Sequence, residues 1–552
     1  MPGGGELWLV AYGNQNRVLS GNPQQTFFYK VFKRYTHFSQ ESITIAVDGP
    51  NELLLDAPIR LRAKIPRHAD LLTRLEFVFR IPEIYSKLVT LIDENEEETT
   101  YAPAFRWIHG LGPLLIDTVG VFVGGSKVQE FPGEWIAAQA TLDLPADQYL
   151  KWRTLVGDVP ELHSPEWGVY GRSPSYPFQV GEYPHTVIDG SGTAIPSAPS
   201  IPERTLRVPL PLWFTDSVGS ALPLVSLQLH EVEVQITMRS LREIYRIMDT
   251  ASQRDPVRSN RDLVLDPAKP TSNHPLSPAA YDNLTLQDNY VTATAHPCNT
   301  PRYFYTDVGE PIPIQDGFVM NAHLEGQFIY LTEKERLMFA ERELQALVHQ
   351  VQVFRTYGIT TKSKLDLDVH GLVSRIVFWG RRSDAIEMRN DYFNLSNWKN
   401  LGQAPYWPNA LPTTVPNSGR LVANSQRDIL RRARLIVAGN ELQEEKPAEF
   451  YEAGVSYATV TGAGAAGLNP GTAVRPDDVM GPLYQIPFAI DGSDREQPSG
   501  TLNTSRLREI QLEVEPWPLP TDSPYTYDFT VVCETLNLIN YQNGMAGMVY
   551  AI

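Results

Sequence analysis

Gly462-Ala463-Gly464-Ala465-Ala466-Gly467 spells G-x-G-x-x-G, the spacing that cradles a pyrophosphate at a helix N-terminus. It follows a strand-like run, Tyr457-Ala458-Thr459-Val460, as a dinucleotide site requires. Asn469-Pro470-Gly471 comes at once, however, and breaks the helix that must follow. The motif reads as a surface loop. His230-Glu231 opens like a zinc-protease helix, but Val234 stands where the second His belongs, and the segment alternates like a strand. Glu231 and Glu233 then share the polar face of that strand, which suits solvation better than acid–base work. The 11 His fall without ligand spacing, and the chain has no P-loop, nucleophile elbow or C-x-x-C pair. No catalytic residue, cofactor or metal ion is expected.

The 2 cysteines, Cys298 and Cys533, make no disulfide framework, which fits a reducing compartment. Sequons occur at Asn283, Asn394 and Asn503, but Met1–Tyr12 lacks the basic start and apolar run of a signal peptide, so they are expected to stay unused. No apolar stretch reaches the ~18–20 residues of a membrane span. A formal net charge of −17 repels phosphate backbones, so direct nucleic-acid binding is not expected. Asp93–Glu98, with four glutamates and an aspartate around Asn95, reads as an exposed loop.

One segment departs from the acidic background. Phe27, Phe28, Tyr29, Phe32, Tyr35 and Phe38 interleave with Lys30, Lys33 and Arg34. That mixture suits a patch for nucleic acid, a membrane surface or a partner protein. Phe28, Val31, Phe32 and Tyr35 would share one face of a helix, able to pack under a neighbouring domain. Packing or partner contact is the favoured reading. The site candidates are therefore Phe27, Phe28, Lys30, Phe32, Lys33, Arg34, Tyr35 and Phe38.

Short alternating runs dominate the rest. Ile59-Arg60-Leu61-Arg62-Ala63-Lys64-Ile65, Val232-Glu233-Val234-Gln235-Ile236 and Leu365-Asp366-Leu367-Asp368-Val369 have the period of half-buried antiparallel strands. Leu75–Ile81, Val119–Val123, Leu324–Leu331, Arg375–Trp379, Arg434–Val437, Ile510–Val514 and Phe529–Leu536 also read as strands. Helices are few. One starts at Thr332 with Glu335 completing a capping box and continues through Leu344 and Leu347–Val348; another spans Glu134–Leu155, broken near Pro145. The fold class is all-β.

The chain also repeats itself. Val123-Gly124-Gly125-Ser126-Lys127-Val128-Gln129-Glu130, followed by Pro132, Glu134 and Trp135, matches Val437-Ala438-Gly439-Asn440-Glu441-Leu442-Gln443-Glu444, followed by Pro447, Glu449 and Phe450. Pro209 precedes Glu231-Val232-Glu233-Val234 by the same 22 residues that separate Pro487 from Glu509-Ile510-Gln511-Leu512. Leu324–Leu331 matches Phe529–Leu536 more loosely. Three matches in one order imply a duplicated sandwich.

Several strings carry a family resemblance. They are Ser20-Gly21-Asn22-Pro23-Gln24-Gln25-Thr26-Phe27-Phe28 with Lys33-Arg34-Tyr35-Thr36-His37-Phe38, Pro209-Leu210-Pro211-Leu212-Trp213-Phe214 with Leu229-His230-Glu231-Val232, Asp391-Tyr392-Phe393-Asn394, Gln497-Pro498-Ser499-Gly500, and Asn543-Gly544-Met545-Ala546-Gly547-Met548. Together they resemble the major capsid proteins of the nucleocytoplasmic large DNA viruses. The resemblance implies a double jelly roll: two eight-stranded antiparallel β-sandwiches in tandem, with long loop insertions and a few short helices. The expected layout is an N-terminal arm over 1–40, a first roll over 41–345 and a second over 346–552. Long loops are expected at about 142–203 and 240–317, and a linking helix at about 332–348. The resemblance further implies a homotrimeric, pseudo-hexagonal capsomer that tiles an icosahedral shell, with long loops outward and the N-terminal arm inward. Its partners would be other capsomers, minor capsid or penton proteins and an internal membrane layer, within a virion capsid made in the host cytoplasm. A carbohydrate-binding β-sandwich and a capsid-like assembly scaffold are the alternative readings.

Overall fold

The computed structural model describes residues 4–30, 32–85, 89–92, 98–101, 103–163, 199–249, 257–258, 301–307, 309–383, 385–386, 390, 392, 395, 429–459, 482–492, 494–507, 509–519 and 525–550. Its first half holds strands β1 (Phe38–Ala46), β2 (Ile59–Lys64), β3 (Leu71–Ile81), β4 (Ile116–Val123), β5 (Ser126–Pro132), β6 (Arg204–Pro209), β7 (Val232–Met238) and β8 (His323–Leu331). They form two antiparallel sheets, ordered β1-β8-β3-β6 and β2-β7-β4-β5. The second half holds β9 (Leu344–Ile359), β10 (Ser363–Leu367), β11 (Leu372–Arg382), β12 (Leu430–Val437), β13 (Asn440–Pro447), β14 (Tyr484–Pro487), β15 (Ile510–Pro516) and β16 (Tyr527–Gln542). Its sheets run β9-β16-β11-β14 and β10-β15-β12-β13, the same order strand for strand. This is a jelly roll, twice.

The repeated sequence blocks occupy equivalent places. Val123–Ser126 and Val437–Asn440 close the β4–β5 and β12–β13 hairpins. Both turns use two consecutive left-handed residues, Gly124 and Gly125 in the first, Ala438 and Gly439 in the second. That conformation matches the twist of paired strands. The 22-residue spacing is the β6–β7 and β14–β15 connection, and each connection lays a two-residue strand, Leu222–Pro223 or Leu502–Asn503, on β3 or β11.

Period-two alternation builds each core. Leu61, Val121 and Val234 meet Phe77, Leu206 and Leu324 inside the first roll; Leu365, Leu435 and Leu512 meet Phe378, Ile486 and Phe529 inside the second. The central strands of the second roll are buried on both faces. Ile376, Phe378, Val531 and Cys533 enter that roll's own core, whereas Val377, Trp379 and Val532 join the core of the first roll. This is why β11 and β16 read as unbroken apolar runs.

Several expectations are corrected. The helix after Thr332 is Glu333–Glu341 and ends there; Leu344, Leu347 and Val348 lie in β9, paired with β16. Tyr457–Thr459 is helical, within Val455–Thr459. The stretch expected as a loop from about residue 142 begins with helix, because Glu134–Leu155 forms two helices, Gly133–Asp143 and Ala146–Val156, broken by Leu144 and Pro145. Within 240–317, Tyr245–Asp249 pairs with Pro103–Trp107, and Tyr303 and Phe304 are buried. The Gly462–Gly467 motif, Asp93–Glu97, Cys298, Asn283 and Asn394 lie outside the described residues.

Helix Gly133–Asp143 is buried on every side from Gly133 to Leu142. Its close approach depends on Gly133, where an added Cβ would sit 2.0 Å from Pro113 O and 2.1 Å from Ile116 O. Both are backbone atoms, so nothing can swing aside. Gly133→Ala is expected to destabilise the protein by about 3 kcal/mol or more. Gly547→Ala, with nothing within 4 Å of the new carbon, should change stability by less than about 0.5 kcal/mol. Guanidinium midpoints of the two variants check this.

Candidate assembly surfaces

Among the described residues, the arm from Gly4 to Tyr35 is exposed throughout. Helices Gly4–Val10 and Asn16–Ser20 bury no residue, and Leu7, Trp8, Leu9, Val10, Val18 and Leu19 are exposed. Phe27, Phe28, Phe32 and Tyr35 follow, reaching 98 % exposure at Phe28, with Lys30, Lys33 and Arg34 exposed among them. Phe38 is half-exposed and opens β1 against Leu331. Thr36 Oγ1 donates to Glu335 at 3.0 Å, which touches the arm to helix Glu333–Glu341. Of the helix expected over Phe28, Val31, Phe32 and Tyr35, the described members Phe28, Phe32 and Tyr35 are not helical and do not pack under the first roll. Aromatic and β-branched residues are weak helix formers, and a short helix without a covering surface is marginal in water. Sequence reasoning also missed the apolar run Leu7–Val10, which was visible as four large hydrophobics in a row.

The two rolls meet across a charged seam. Arg375 on β11 and Glu534 on β16 lie on the same side as Val377 and Val532, facing the first roll. Arg375 donates from both terminal nitrogens to Asp143 at 2.7 Å each, and from Nε to Glu534 at 2.6 Å. Arg495 donates to the other oxygen of Glu534 and stands 3.4 Å from Asp216. His349 Nδ1 lies 3.4 Å from Glu534. Asp143 and Asp216 belong to the first roll; Arg375, Arg495, His349 and Glu534 belong to the second. Glu134, at the other end of the same helix, faces Arg239 at 3.5 Å and Arg381 and Arg355 at 3.8 Å. His230, the false zinc-motif residue, also fastens the seam: its Nδ1 accepts from Ala546 N–H at 3.2 Å, and Leu229 N–H donates to Gly544 O at 2.8 Å. Glu231 pairs with Lys64 at the surface. Exposed Asn503 accepts from Ser505 N–H at 3.1 Å.

Edge strands differ between the copies. In the first roll, β5 is covered by β9: Gln129 Nε2 donates to His349 O at 2.8 Å, and Gln350 Nε2 donates to Val128 O at 2.7 Å. Val128 is 2 % exposed. In the second roll, the counterpart β13 is largely bare, and Leu442, which matches Val128, is 52 % exposed. The outward residues Phe38–Ser42 of β1, the counterpart of β9, are bare as well.

Burial opposes ionisation of Glu534, but Arg375 and Arg495 hold its carboxyl well below the usual range. Burial likewise opposes Glu134, and Arg381, Arg239 and Arg355 bring it below its ordinary value. Burial leaves Asp216 raised, only partly offset by Arg495. The stability from Glu534 and Glu134 is therefore complete above the unfolded carboxylate pKa of about 4.3 and is lost as pH falls through their lower folded values. Asp216 acts with the opposite sign. Melting temperature should drop between about pH 5 and pH 3, and Glu534→Gln should flatten that drop. Arg375→Met removes three charge-assisted hydrogen bonds from buried Asp143 and Glu534, leaves Arg495 as their nearby arginine, and should cost roughly 3–5 kcal/mol at pH 7. Thermal melts across pH check both.

Known proteins share this architecture. Residues 26–271 match the family model "Major capsid protein N-terminus", and residues 335–547 match "Large eukaryotic DNA virus major capsid protein". The chain is 24 % identical to "Probable capsid protein 4" of Acanthamoeba polyphaga mimivirus, over 93 % of this chain and 92 % of that protein. It is 22 % identical to the major capsid protein of Pyramimonas orientalis virus, over the full length of both. Among solved structures, the PBCV-1 virus capsid model superposes with a TM-score of 0.60 at 16 % identity, covering 96 % of this chain and 100 % of that one. The Faustovirus major capsid protein gives 0.57 at 13 % identity, covering 93 % and 92 %. With both halves of the chain matched and the roll repeated strand for strand, the chain belongs to the major capsid proteins of the large eukaryotic DNA viruses, structural proteins rather than enzymes.

Proposed function

We propose that this chain forms homotrimeric, pseudo-hexagonal capsomers that tile the icosahedral shell of a large double-stranded DNA virus. The observation that carries this is the unequal fate of β5 and β13. By strand order, covered β5 and bare β13 are equivalent, and β9, which covers β5, is equivalent to β1. A second chain supplying its β1 to β13 repeats the internal contact between chains. Such a heterologous contact closes into a ring when the rotation fits, and six roll positions need three chains. The bare residues Phe38–Ser42 of β1 would meet the bare face of β13, Leu442 included, in the next chain.

In this reading, residues 1–40 form an arm, 41–345 the first roll and 346–552 the second. The arm faces inward, and its exposed aromatic and basic residues from Phe27 to Phe38 meet neighbouring capsomers, minor capsid or penton proteins, or an internal membrane layer. An apolar stretch this exposed calls for a cover. Synthesis and assembly in the host cytoplasm fit a buried thiol at Cys533, which burial pushes up to about 12 and makes inert.

Light scattering and negative-stain imaging of the purified protein should find particles of three chains with six lobes. A stable monomer would contradict the proposal. Presence of the chain in purified mature virions separates a capsid protein from an assembly scaffold. Leu442→Asp should shift the trimer to monomer while circular dichroism stays unchanged, because it places a charge at the inter-chain position equivalent to buried Val128. Trimers that survive Leu442→Asp would overturn the proposed contact.

A further inference from the structure

A cluster of ligand-type side chains, His109, Asp158 and His163, takes no part in the seam and edge contacts described above. His109 follows strand Pro103–Trp107, Asp158 follows helix Ala146–Val156, and His163 ends the short helix Pro160–His163. One donor atom from each lies within 4.8 Å of the others. His109 Nδ1 and His163 Nε2 both stand 3.9 Å from Asp158 Oδ1. That is too long for a direct hydrogen bond. It is close to the separation of two donors on one ion, about 3.4 Å in a tetrahedron with bonds near 2.1 Å. Small side-chain rotations close the difference.

The rings stack with centroids 3.8 Å apart, and a nitrogen of each lies toward the same carboxylate oxygen. The site is shielded: the His163 side chain is 1 % exposed, His109 12 % and Asp158 14 %. Each oxygen of Asp158 accepts one hydrogen bond. Arg153 Nε donates to Oδ2 at 2.8 Å and Gly110 N–H to Oδ1 at 3.1 Å. These contacts fix the carboxylate in the way the outer partners of a metal ligand do, and they leave one lone pair on Oδ1 for an ion.

We propose that His109, Asp158 and His163 bind one transition-metal ion of the zinc class through two imidazole nitrogens and one carboxylate oxygen, with water completing the shell. Two nitrogen donors disfavour calcium and magnesium, which take oxygen ligands. The ion would tie the turn after helix Ala146–Val156 to the end of strand Pro103–Trp107. Its role is structural, bracing the first roll.

Metal-stripped, full-length capsomer titrated with Zn2+ by calorimetry should bind one ion per chain. Co2+ in its place should give visible absorption bands of a low-coordinate nitrogen–oxygen site, and Zn2+ should raise the melting temperature. His109→Ala, at the more open ring, should weaken binding by at least about tenfold and remove the thermal shift. His163 is buried, so His163→Ala is scored only after circular dichroism confirms folding. Failure of the folded wild-type protein to bind Zn2+ would overturn the proposal, as would binding that His109→Ala leaves unchanged.

Discussion

The two rolls can act as one tile only if the angle between them is fixed, and the buried contact of Arg375 with Asp143 and Glu534 fixes it. Apolar packing alone tolerates sliding, since one buried surface resembles another. A two-pronged guanidinium–carboxylate pair does not, because its hydrogen bonds demand a single geometry. The net stabilisation from such a group is modest, but a slipped seam would leave several buried charges unpaired at once. Helix Gly133–Asp143 carries carboxylates at both ends, Glu134 and Asp143, and each meets arginines of the second roll. The helix works as a key between the halves.

From that fixed angle the assembly logic follows. A duplicated chain makes one roll–roll contact internally and leaves the equivalent contact open at its ends. The covered β5 and the bare β13 are the two outcomes of one surface. Sequence divergence between them is small in the hairpin, where Val128-Gln129-Glu130 matches Leu442-Gln443-Glu444. Leu442 keeps its apolar side chain although the monomer leaves it exposed, as a surface destined for a partner would.

Much of this was legible in the sequence. Alternation located the strands, and the hairpin and 22-residue spacing paired the two rolls, because turn chemistry and period-two burial are local. What failed depended on distant partners. Leu344, Leu347 and Val348 fit a helical spacing as well as a strand, and only the pairing with β16 decides between them. The charges on β11 and β16 look like solvent-facing residues until the first roll is placed over them. The aromatic arm has a helical pattern but no surface to pack on. His109 and the pair Asp158–His163 are remote in sequence, so no local motif announces them.

The central claim is that the open edge of the second roll is filled by the first roll of the next chain. A high-resolution cryo-electron microscopy reconstruction of the purified capsomer tests it most directly. The account predicts three chains around one axis, with β13 of each against β1 of its neighbour and Leu442 buried. A capsomer in which β13 faces solvent, or in which rolls meet through other strands, would contradict it.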